Sequence, residues 1–165
     1  MRTLIFLIIS FFIYFSMPIK AQSTNEQTNI ESLTQRVDSL EHELSYLKLI
    51  YELSSLNSDI SMFSNDVKIN AIDIKLDIYN RNFNYKLGNA YLQFYESCQD
   101  KMESLQELIK QKKEFLALKV ITYPFTESEL GVLLTSYNTI DSAYKHLESS
   151  MKLLKVNLDF YRKSM

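Results

Sequence analysis

The chain has one cysteine, two glycines, two prolines, two histidines and no tryptophan in 165 residues. Each shortage excludes something. With Cys98 alone, no internal disulfide can form. His42, His146 and a single thiol fall short of a usual structural zinc set unless carboxylates join them. Neither histidine has a glutamate three residues before it, where Ser39 and Ala143 stand, so the Glu-x-x-His pair of di-iron bundles is missing. No glycine-rich loop is there to cradle a phosphate. Cys98 falls on an apolar face with Phe94, Met102 and Leu105, away from both histidines, which argues against an activated thiol. The inventory points away from an enzyme and requires no cofactor and no metal.

The N-terminus has the three parts of a secretory signal. In "MRTLIFLIISFFIYFSMPIKAQST", Arg2 supplies the positive start and Leu4 to Met17 is nearly all apolar. Pro18 follows, and Ala21 offers the small residue that a signal peptidase needs, placing the cut between Ala21 and Gln22. The apolar run is shorter than the ~20 residues of a membrane span, so no stable span is expected once residues 1–21 are removed. Gln22 is not a cysteine, which leaves a lipid anchor unsupported. No N-x-Ser/Thr sequon occurs. The expected location is secreted or periplasmic.

A basic excess is also lacking. Arg2 and Lys20 leave with the signal, so 16 of the 18 basic residues remain against all 20 acids, a formal charge of −4. Nucleic-acid binding needs a basic face, and none is expected here. The cluster Lys110–Lys113 lies near the end of a predicted helix, where cations suit the dipole. Glu96, Asp100, Glu103 and Glu107 share one helical stripe and read as a solvated face.

After residue 21 only Gly88, Gly131 and Pro124 interrupt the chain, whereas a β-rich protein of this size would use more turn residues. Long segments without breakers mean long helices. Residues 22–165 read as one helical domain, and its first helix, 26–56, carries a coiled-coil seam. Ile30, Leu33, Val37, Leu40, Leu44, Leu47 and Tyr51 recur at alternating spacings of three and four. Ile30, Val37 and Leu44 take the a positions, and Leu33, Leu40 and Leu47 take d. Branched residues at two of three a sites, with leucine at every d, favour a parallel dimer. The flanks agree: each g residue meets the next e residue of a parallel partner, here Arg36 with Glu41 and Glu43 with Lys48. These ten residues, Tyr51 aside, are the candidate interaction site.

Residues 57–87 carry two periods at once. Ile72, Ile74, Leu76 and Ile78 alternate with polar residues as in a strand, while Ile69, Ile72, Leu76, Tyr79 and Phe83 keep helical spacing. On a helix, Val67, Ala71, Ile74, Ile78 and Tyr85 form a second apolar side, as if it were held between two neighbours. A hairpin turning at Asn80–Asn82 is the rival. A lone hairpin is marginal and no third strand is in sight, so the helix is preferred. Gly88 is expected to cap this helix and Asn89 to start the next, 89–120. The last helix, 127–163, opens with a capping box of Thr126 and Glu129 after Pro124. Whether the first two helices join across Ser54–Asp59 stays open.

The fold expected is all-α: an antiparallel helical bundle of three to four long helices with an N-terminal coiled-coil segment. The function expected is an exported, non-enzymatic protein that associates with itself, as a dimer, or with another envelope or extracellular protein. The alternative is a monomeric periplasmic carrier or holdase that takes a ligand or client protein between its helices.

Overall fold

In a computed structural model of the protein, residues 2–165 are described, with side chains from residue 27 onward. The expected signal peptide and its Ala21–Gln22 cut therefore lie outside the described side chains. Three helices follow one another: α1 is Arg2–Tyr79, α2 is Tyr85–Thr122 and α3 is Glu127–Lys163. No strand occurs among the described residues, and the protein is all-α. The chain divides into two units, residues 1–47 and 48–165.

The second unit is an up-down-up bundle. Contacts between α1 and α2 descend in antiparallel order. Lys112 bonds Glu52 at 2.6 Å, Lys101 lies over the Phe63 ring at 4.2 Å, and Tyr91 donates to Asp77 at 2.6 Å. Between α1 and α3 the order is parallel: the Ser64 and Ser150 hydroxyls are 3.1 Å apart, and Asn157 Nδ2 donates to the Ala71 carbonyl at 2.7 Å. On α1 the buried stripe is Leu49, Leu53, Leu56, Ile60, Phe63, Val67, Ala71 and Ile74, again at spacings of three and four. On α3 the buried apolar residues include Leu133, Ile140, Leu147, Met151, Leu154 and Leu158. The α2 helix presents buried Cys98 between half-buried Phe94 and Met102.

Serine and asparagine between 54 and 58 do not break α1. Ser54, Ser55 and Ser58 are exposed while Leu53, Leu56 and Ile60 are buried, so packing of one face holds the turn that local propensity alone would loosen. This join makes three helices out of the four segments considered. The 69–79 stretch is helical, and the hairpin does not form. Its two apolar sides are not both covered: Val67, Ala71 and Ile74 are buried, whereas Ile69, Ile72 and Leu76 stand in solvent. The helix is packed on one side and is not sandwiched.

The turn lies earlier than Gly88–Asn89. Asn82 N–H donates to the Asp77 carbonyl and Arg81 N–H to that of Ile78, with Arg81 at φ 54. That is the Schellman pattern with a non-glycine residue in the left-handed position. Asn84 then caps α2, its side chain accepting from the N–H groups of Lys86 and Leu87. Gly88 is inside α2 for a different reason. A Cβ there would come within 2.9 Å of Met165 Cε and 3.2 Å of Tyr161 Cε1, so the missing side chain lets the end of α3 approach. At the opposite end, Thr126 and Glu129 form the reciprocal capping box read from the sequence.

The end of the bundle is tied by Tyr161, which is fully buried. Its hydroxyl accepts from the Asn84 N–H and donates to the Asn82 carbonyl, both at 2.9 Å. The ring sits edge-on to Tyr91 at 5.6 Å, and Tyr91 in turn holds Asp77, which also accepts from Asn82 Nδ2. One side chain of α3 thus secures the connection between α1 and α2.

Candidate interaction face

The α1 helix positions all ten candidate residues. Ile30, Leu33, Val37, Leu40, Leu44 and Leu47 are 52% to 69% exposed, and Arg36, Glu41, Glu43 and Lys48 are exposed beside them. The seam ends at Tyr51, itself in solvent, while Leu53 is in the core. The seam is thus exposed along its whole length, residues 30–47. The most regular apolar pattern in the sequence is therefore a surface.

The magnitude is considerable. A side chain of this class is worth about 2.5 kcal/mol on burial, or roughly 100 Å² at about 25 cal/mol per Å². Six of them put roughly 600 Å² of apolar surface in water, the upper range for the largest patch on a typical monomer. Most helical stability in proteins comes from covering an apolar face.

A second set of exposed apolar residues corresponds in large part to a side of the helix expected from the sequence to be covered. Met62, Ile69, Ile72, Leu76 and Tyr79 lie on the solvent side of α1 within the bundle unit. Tyr79 and Leu76 border an open cleft with Ile72 and Lys75. The clue was present in the double period of 67–87, which identified two apolar sides without saying which one is covered.

Other candidate chemistry resolves into structure. Burial of Cys98 pushes its thiol up to about 11, so the group stays protonated and serves as a small apolar side chain. Tyr91 is pushed well above the ordinary phenol range, first by burial and then by its bond to Asp77. Glu96, Asp100, Glu103 and Glu107 are all exposed. Among the described residues no three of His, Cys, Asp and Glu come together as ligands for a metal. Between α2 and α3 an open groove of about 320 Å³ is lined by Tyr95, Gln99, Met102, Tyr144, Met151 and Lys152. Among the described residues no helix is long and apolar enough to cross a membrane.

Comparison with protein-family models, with curated proteins and with solved structures finds no match to this chain. Any functional reading rests on the residues themselves.

Proposed function

We propose that this is an exported, non-enzymatic helical protein that acts by association, using the α1 face from Ile30 to Leu47. The partner face is a helix of a second copy or of another envelope or extracellular protein. One observation carries the reading. Six apolar residues in strict heptad spacing, Ile30 to Leu47, stand in solvent. A bundle needing α1 only for its interior would have no use for a second regular seam there. The N-terminal Arg2–Ala21 segment supports export, with a secreted or periplasmic destination.

The carrier or holdase reading has the α2–α3 groove as its support. That groove is open and partly lined by charged ends such as Lys152 and Glu103, unlike the enclosed, mostly apolar pockets that bury a ligand. It is the weaker of the two.

The native exported protein, released without denaturant from cells that make it, is expected to be larger than one chain by sedimentation. The Leu40→Glu, Leu44→Glu double variant, exported equally well, is expected to return to monomer mass. A native protein that sediments as a monomer before substitution refutes the reading. The intact mass of the same sample checks the cut after Ala21.

A further inference from the structure

The charges beside the seam discriminate between partners and between orientations. Resting on the association reading above, we infer that the partner is a second copy of this chain, with the two α1 helices parallel and in register over residues 30–48. In that arrangement a residues face a residues and d residues face d residues, placing Ile30, Val37 and Leu44 across from their own copies. Arg36 then meets Glu41 of the second copy, and Glu43 meets its Lys48. Symmetry doubles each contact, so four unlike-charge pairs flank three heptads, and no like pair occurs.

The antiparallel alternative is poorer. There the g residues meet g residues and the e residues meet e residues. Arg36 finds Glu43, and symmetry repeats this once. On the other flank Glu41 finds Thr34, which offers no charge. Two favourable contacts replace four, and the hydrophobic layers mix Ile30 with Leu47 and Val37 with Leu40. Branched residues at a with leucine at d suit the parallel two-stranded packing.

The area also fits a second copy. Two faces of roughly 600 Å² come to roughly 1,200 Å², the lower limit of specific, stable interfaces. A pairing that covers both seams at once reaches this limit with no contribution from any other surface.

The test uses the purified exported protein with Cys98→Ala, so that introduced thiols are the only ones. With Leu33→Cys, mild oxidation is expected to give a covalent dimer in high yield, because position 33 faces its own copy. A mixture of Leu33→Cys and a mass-tagged Leu44→Cys chain is expected to give few 33–44 links. Arg36→Glu is expected to weaken dimerisation about ten-fold, since two exposed pairs are reversed. Adding Glu41→Arg is expected to restore it, which only the parallel pairing allows. Preferential 33–44 links, or no recovery in the double variant, overturn the orientation while leaving association intact. A purified protein that stays monomeric at every concentration, although the native material is a larger complex, overturns the second copy as partner. A native monomer overturns association itself. Far-UV circular dichroism shows that each variant keeps its helix content.

Discussion

Replacing Tyr161 with phenylalanine isolates the bonds that tie α3 to the connection between α1 and α2. The ring is retained, with its centroids 5.5 Å from Phe83 and 5.6 Å from Tyr91, so apolar packing is unchanged. What disappears is one hydroxyl that accepts from Asn84 N–H and donates to the Asn82 carbonyl. Two such bonds contribute about 2 kcal/mol together. Asn82 and Asn84 are themselves exposed, and water recovers part of that loss. The expected cost is about 1–2 kcal/mol, roughly a ten-fold rise in the unfolding constant. Urea unfolding followed by circular dichroism at 222 nm reads it as a lower midpoint with an unchanged slope. Tyr85→Phe is the control, because Tyr85 is exposed, and its effect is expected to stay within about 0.5 kcal/mol. A Tyr161→Phe effect no larger than that of the control refutes the claim that this hydroxyl secures the turn.

The Ser64–Ser150 pair in the core is expected to behave non-additively: each single alanine costs about 1 kcal/mol by orphaning the other hydroxyl, and the double costs less than the sum. A double-mutant cycle checks this, and simple additivity removes the claim. Lys112 donates a hydrogen bond to Glu52 and, mainly through that bond, holds its carboxyl below the usual range. The resulting stability is present above the ordinary carboxylate pKa and is lost as pH falls through the lowered value. Lys112→Met is accordingly expected to cost up to about 1 kcal/mol at pH 7, because both partners are partly exposed. The difference from the parent should vanish in acid, and a penalty that persists at pH 2 would assign the effect to packing.

Helix content was legible because breakers are so few and because the α3 boundaries are written locally. Pro124, Thr126 and Glu129 specify a start that needs no distant partner. Gly88 and Asn89 are expected at the turn because glycine is the usual left-handed residue after a helix, whereas here Arg81 takes that conformation and Asn84, not Asn89, caps α2. The left-handed Arg81 is held in place by two bonds from Asn82 to Asp77, five residues away, and by the Tyr161 hydroxyl on the Asn82 carbonyl, 79 residues away; the last of these is beyond the reach of local pattern. Gly88 answers to α3 and not to its own helix end.

Sequence alone determined that the chain is helical, where its last helix begins, and that Ile30–Leu47 forms one apolar ridge. Those properties depend on spacing and on capping within a few residues. Only the tertiary structure decided that α1 passes through Ser54–Asp59, that Val67, Ala71 and Ile74 are covered while Ile69, Ile72 and Leu76 are not, and that the ridge is left in solvent. Periodicity records that a face is apolar; which face is covered depends on where the other helices lie.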